Sequence, residues 1–261
     1  MARMEKYEEL KISNQFMFRK VMESNQQLCK EMLETIFSKK IERIEYLETE
    51  KDMKVSYDSK GIRLDVYLND SRGTVYNLEM QTQMKDYLPK RSRYYQSNID
   101  IDNLLKGMHY SELEESYVIF ICNFDLFSYN RYIYTFENVC KEDMSIRLDD
   151  GAYKVFINTK GSVGEITPGL KSLLDFFDGN DPSDDLTRRL EAAVERARNN
   201  KEWRADYMVL NAMRMDDKAE GMAEEKRKRI IYALSKGKTI EQIMDFTGYS
   251  REEIERVKDE M

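Results

Sequence analysis

Hydrophobic and polar positions alternate strictly along two neighbouring stretches of the chain. Ile62, Leu64, Val66 and Leu68 alternate with Arg63, Asp65 and Tyr67, and further on Tyr76, Leu78 and Met80 alternate with Asn77, Glu79 and Gln81. A period of two predicts β-strands whose side chains point to opposite faces in turn. The link Asp70-Ser-Arg-Gly73-Thr74 suits a three-residue hairpin loop with Gly73 in the left-handed conformation. Pairing Asp70 with Thr74 sets Asp65 opposite Glu79, with Cβ atoms ~5 Å apart. The apolar set is then expected in the core, with Asp65, Glu79 and Gln81 together on the other side. Carboxylates that close repel one another, and a divalent cation is the usual remedy.

The pattern elsewhere completes a fold. Phe16, Met17, Val21 and Met22, then Leu28, Met32, Leu33, Ile36 and Phe37, fall at helical spacing, with a break at Ser24-Asn25. Residues 41–47 alternate like a strand. A helix is expected from about Pro89 to Leu105, with Pro89 in the first turn and Gly107 at the stop. The unbroken apolar run Tyr117-Val-Ile-Phe-Ile-Cys122 suits the centre of a sheet covered on both faces. Residues 131–136 and 153–157 look like further strands, with Tyr132, Tyr134 and Phe136 read as sheet core.

After residue 165 the strands cease. Leu170, Leu173, Leu174, Phe176 and Phe177 form one helix, and Gly179-Asn-Asp-Pro-Ser183 is a loop. A long helix is expected from Asp184 to Lys236, weakened at Gly221. The reading is an α+β domain with a mixed sheet over residues 1–180 and a helical region over 181–261. Residues 238–257 resemble a helix-turn-helix, with capping boxes Thr239-x-x-Gln242 and Ser250-x-x-Glu253 around Gly248. The second helix presents Glu252, Glu253 and Glu255 against Arg251 and Arg256, which makes it a poor reader of DNA. Oligomerisation or packing on the long helix is favoured instead.

Composition narrows the chemistry. Hydrophobic residues are 41% and charged residues 35% of 261, as in a globular protein with solvated helices. No apolar run approaches the roughly 20 residues of a membrane span, and residues 1–9 carry no leader-like apolar core. Three cysteines, Cys29, Cys122 and Cys140, are odd in number, which favours a reduced cytoplasmic protein over a disulfide framework. One histidine, His109, read as a surface residue at a helix end, argues against multi-histidine zinc and against a nucleophile–His pair. Chemistry must then run on carboxylates, lysine, tyrosine or a hard metal. The net charge of −7 leaves room only for a local basic strip facing phosphates.

An Asp on one strand, Glu-x-Gln on the next, then a helix and a buried strand, resembles the PD-(D/E)xK nuclease core. The chain is more narrowly similar to the bacterial recombination-promoting nucleases, a transposase-like family. The strings that carry this are Ile12-Ser-Asn-Gln-Phe-Met-Phe-Arg-Lys-Val-Met22, Gly61-Ile-Arg-Leu-Asp-Val-Tyr67, Tyr76-Asn-Leu-Glu-Met-Gln81 and Leu88-Pro-Lys-Arg-Ser-Arg-Tyr-Tyr-Gln96. Tyr117–Cys122, Ile133–Asn138 and Phe156–Gly161 extend the likeness over about residues 11–180. Two positions depart from it. Gln81 stands where the superfamily often has lysine, although glutamine is similar to what the narrower family carries, and Asn14-Gln15 stands where the family often has Asn-Asp.

The resemblance implies a magnesium- or manganese-dependent endonuclease acting on double-stranded DNA, in recombination or mobile-element processing, with no small-molecule cofactor. Asp65 and Glu79 are the expected metal ligands, and the Met80 backbone carbonyl is a third. Gln81 is neither a base nor a cation, but its amide can orient water or a phosphate oxygen. On the following helix Lys90, Arg91, Arg93, Tyr95 and Gln96 are candidate DNA contacts of the phosphate-positioning kind, with Tyr94 packing inward. Glu23, Glu31 and Glu34 are possible helix-borne partners. Two cuts on opposite strands would suit a homodimer. Three alternatives remain: Asp65 and Glu79 as the wet face of a hairpin pairing with Arg63 and Lys54, a DNA- or protein-binding relative that has lost turnover, and a nuclease directed at RNA through the same ligands.

Overall fold

The structure, a computed structural model, describes residues 5–54 and 60–261; part of the amino-terminal stretch read above lies outside it. The chain forms two units, residues 1–203 and 204–261. Strands β1 (Ile44–Met53), β2 (Ile62–Asp70), β3 (Val75–Gln81), β4 (Ser116–Cys122), β5 (Ile133–Phe136) and β6 (Ala152–Asn158) build one sheet in the first unit. Its order is β1-β2-β3-β4-β6-β5, parallel at β3-β4-β6 and antiparallel elsewhere. The mixed sheet and the α+β class stand as the sequence pattern suggests.

The parallel step from β3 to β4 demands a crossover, whose helix supplies one covering layer, and helices before β1 and after β6 supply the other. Helix α3 (Leu88–Asn103) follows β3 and covers one face, where Tyr95 stacks on Phe120 with ring centroids 6.2 Å apart. Helices α1 (Gln15–Ser24) and α2 (Gln26–Phe37) pack together, and Phe37 of α2 lies against Tyr76 and Tyr117 on the opposite face. Helices α4 (Pro168–Phe177) and α5 (Asp185–Arg198) extend that layer against α2. With both faces covered, every residue of β3 is buried. The polar side of the hairpin is therefore not wet, which corrects the simple picture of one dry and one solvated face.

The hairpin register is the expected one. Asp70 N–H donates to the Thr74 carbonyl at 3.1 Å, Val66 lies opposite Leu78, and Gly73 has φ 84°. The strand β1 runs beyond residue 47 to Met53, and β5 is a half-buried edge strand rather than full core. His109 is exposed but begins a short helical turn rather than ending α3. The long helix expected from Asp184 breaks at Asn199-Asn200, not at Gly221, giving α5 and α6 (Lys201–Ser235). Asn200 Oδ1 accepts from the N–H groups of Glu202 and Trp203, capping the new helix.

The loop after β6 is pinned by close backbone approach. A Cβ on Gly161 would sit 2.6 Å from Tyr132 Cα and 2.7 Å from Tyr132 N. Neither atom can rotate away, so Gly161→Ala is expected to lower unfolding free energy by about 1–3 kcal/mol, as overpacking does. Urea denaturation of the variant checks this, and an unchanged midpoint would contradict it.

In the second unit, α7 (Ile240–Thr247) and α8 (Arg251–Asp259) flank Gly248, and both capping boxes form as the sequence spells them. Ile243 and Ile254 pack with Ile230 of α6 as a small three-helix core.

Candidate metal and nuclease site

The site forms where β2 and β3 part. Regular pairing of the two strands ends at Val66 and Leu78, and side chains replace the ladder just beyond. Asp65 N–H donates to Glu79 Oε1 at 3.0 Å, and Met80 N–H donates to Asp65 Oδ2 at 3.3 Å. Each carboxylate thus takes a backbone N–H of the other strand, which fixes both at the junction. The neighbouring strand is disturbed at the same level: Glu50 of β1, which lies between the pairs Thr49–Val66 and Lys51–Leu64, has φ 54°. A left-handed non-glycine residue in a strand stores strain, and such strain gathers at functional sites.

Strict alternation also fails here. Ile62 and Leu64 pack with Tyr67 in the cluster beneath α3, while Asp65 is met from α1. Gln15 Nε2 donates to Asp65 Oδ2 at 3.0 Å, and the buried Arg19 guanidinium lies 3.6 Å from Asp65 Oδ1 and 3.1 Å from Glu50. Glu79 is met from the opposite layer, where Arg91 of α3 donates to its Oε2 at 2.8 Å. Arg91 also donates to the Tyr95 hydroxyl at 2.7 Å. The two acids therefore meet between the layers, one gripped from each side.

Their electrostatics are those of a crowded anionic pair. Asp65 is 3% exposed and Glu79 is not exposed at all. Burial raises the pKa of both carboxyls, and the charge of Asp65 pushes Glu79 up further; Arg19 and Arg91 offset only part of this. Gln81, two residues along β3, is buried, and its Nε2 has no hydrogen-bond partner. An orphaned buried amide on the same strand as Glu79 fits a site completed by something the chain does not itself contain. Among the described residues no group of three or more His, Cys, Asp or Glu side chains is gathered to hold a metal.

The remaining candidates divide. Lys90 and Arg93 are exposed on α3. Tyr95 is core, and Gln96 is buried with its amide donating to Asp100 at 3.0 Å and to Ser116, so neither faces solvent where DNA could reach it. The inward and outward tyrosines are reversed: Tyr94 is the exposed one, its hydroxyl donating to the Lys60 carbonyl. Glu31 pairs with Arg189, Glu34 with Lys30 and Lys40, and Glu23 with Lys20, all away from the pair. Arg63 binds Asp52 rather than Asp65. Sequence reasoning did not single out Arg19 or Glu50. A cation embedded in the apolar face of α1, between Phe18 and Val21, was the available signal for Arg19.

No helix among the described residues is long and apolar enough to cross a membrane. Comparison with curated proteins and with solved structures gave no match. The family model for PD-(D/E)XK nuclease family transposases, whose core nucleases generally use divalent metal ions, matches residues 12–161. That span runs from α1 through the last strand of the sheet and contains both carboxylates, Gln81 and Arg91. With more than half of the chain matched and the mixed sheet in place around them, the protein belongs to the PD-(D/E)XK nuclease family transposases.

Proposed function

We propose that the chain is a magnesium-dependent DNA endonuclease whose site is the Asp65–Glu79 junction. The observation that carries this is the buried, mutually repelling carboxylate pair with the unpartnered Gln81 amide on the same strand as Glu79. Asp65 and Glu79 would hold the ion, with the Met80 carbonyl a third donor; magnesium is commonly held by one or two carboxylates plus waters and substrate phosphate. When bound, such an ion lowers the pKa of a water and stabilises charge on a phosphoryl oxygen.

The chain's own groups set the rest. Gln81 orients water or a phosphate oxygen through its amide without acting as a base. Arg91 holds Glu79 in place and is not free to bind phosphate while it does so. Lys90 and Arg93, exposed one turn apart, are left to position the DNA backbone.

Incubating supercoiled plasmid with the purified protein tests the reading. Nicking with magnesium and none with a chelator is expected, and no nicking under either condition would contradict it.

One observation favours a second reading, a binding relative without turnover. Each carboxylate already faces an arginine, Arg19 at Asp65 and Arg91 at Glu79, and glutamine stands at residue 81 where the superfamily often has lysine. DNA mobility shifts that ignore magnesium and persist in Glu79→Ala, with no nicking, would establish it instead.

A further inference from the structure

Helix α6 is 35 residues long, and every described side chain from 212 to 225 is exposed. A helical stretch with no packing on any side draws no stability from tertiary contacts, which supply most of it in folded proteins. Yet its sequence is not that of a solvated rod. Ala205, Met208, Ala212, Met215, Ala219 and Met222 recur at alternating spacings of three and four residues. That spacing places all six on one seam roughly 26 Å long. The three methionines are 56%, 60% and 63% exposed, and the three alanines are exposed as well.

We propose that this seam is a coiled-coil interface with a second copy of the chain. Alanine alternating with methionine offers a shallow groove and a flexible apolar knob, so the same stripe on another copy fits it. The flanking positions support self-association. Arg204, Asp216, Lys218 and Glu225 border the seam, two of each sign, so two copies can meet without a row of like charges. Val209, also bordering it and 54% exposed, widens the apolar strip. The seam is bounded: its next two positions are Lys226, paired with Glu253, and Arg229, paired with Glu225. A closed symmetric pair follows from one self-complementary stripe, whereas an unrelated partner would not require it to match itself. This inference stands independently of the nuclease reading.

Sedimentation of the full chain over micromolar concentrations tests it. The wild type is expected to reach twice the 31.1 kDa of a single chain. Met215→Glu, which sets a charge on the seam, is expected to hold the single-chain mass with unchanged helicity by circular dichroism. Met213→Glu, equally exposed on a different face, should behave as wild type. Ala212→Leu, which adds apolar surface to the seam, should tighten the pair about tenfold. A wild type that stays monomeric throughout, leaving the stripe to a different partner, would overturn the proposal. So would a Met215→Glu variant that pairs as well as wild type, or a Met213→Glu variant that dissociates.

Discussion

Asp65→Asn is expected to lower magnesium-dependent plasmid nicking by about 10³-fold or more. The estimate follows from the charge that a metal-held pair contributes to phosphoryl chemistry, several kcal/mol, with each 1.4 kcal/mol worth about tenfold in rate. Asparagine keeps the shape and can still accept the Met80 N–H, so the junction between β2 and β3 should survive. It removes a buried negative charge from beside Glu79, whose carboxyl burial and Asp65 together push upward, so the metal-free fold should not be weakened by lost repulsion. The diagnostic result is therefore a lost rate with a retained melting temperature. A paired thermal measurement sharpens it. Saturating magnesium should raise the melting temperature of wild type, by mass action on the folded state, and leave that of Asp65→Asn unchanged. Asp52→Asn, which removes an exposed carboxylate bound to Arg63, should nick plasmid at the wild-type rate. Equal nicking by Asp65→Asn and wild type would remove the carboxylate pair from the mechanism.

The second large effect is on the fold beneath the site. Phe120 lies opposite Glu79 in the β3-β4 register and is fully buried. Its ring stacks with Tyr95 at 6.2 Å and with Phe156 at 5.4 Å, and the Arg91 guanidinium sits 5.6 Å above it. Phe120→Ala is expected to cost about 3–5 kcal/mol, the range for emptying an aromatic site in a packed core. Marginal stabilities of about 5–15 kcal/mol make that a large share of the total. Because the chain has two units, a global signal would mix them. The single tryptophan, Trp203, closes the first unit and lies 5.6 Å from the Lys20 ammonium. Its fluorescence through a urea titration therefore reports the relevant transition. A midpoint within error of wild type would show that this aromatic stack does not support the site.

The parts of the fold that were legible in the sequence are those where one period dominates. The β2-β3 hairpin announced its register through alternation and a Gly73 turn, and β4 announced its central place through an unbroken apolar run. Helix α3 was legible as a helix but not in its facing. Its buried side carries Ser92, Gln96 and Asn98 among the apolar residues, so polarity did not mark the solvent face, and Tyr94 and Tyr95 exchanged roles. The break at Asn199-Asn200 was missed because the flanking helices share one charged, Arg- and Glu-rich texture; the asparagine doublet was the only local mark.

The site itself was half legible. Asp65 and Glu79 could be set side by side from the hairpin alone, since register fixes neighbours. What surrounds them could not. Gln15 and Arg19 arrive from a helix some fifty residues earlier, and Arg91 from the layer on the other side of the sheet. Contacts that distant depend on how layers close over the strands, which no local period encodes. The slip in alternation at Asp65 has the same origin: a strand gripped by side chains from both layers no longer obeys its own pleat.

The most direct measurement is a crystal structure of the wild-type protein soaked in manganese, read by anomalous scattering at the metal edge. The account predicts one peak in contact with carboxylate oxygens of both Asp65 and Glu79, lost in Asp65→Asn. A fully diffracting, metal-saturated crystal with no peak between those two side chains would contradict it.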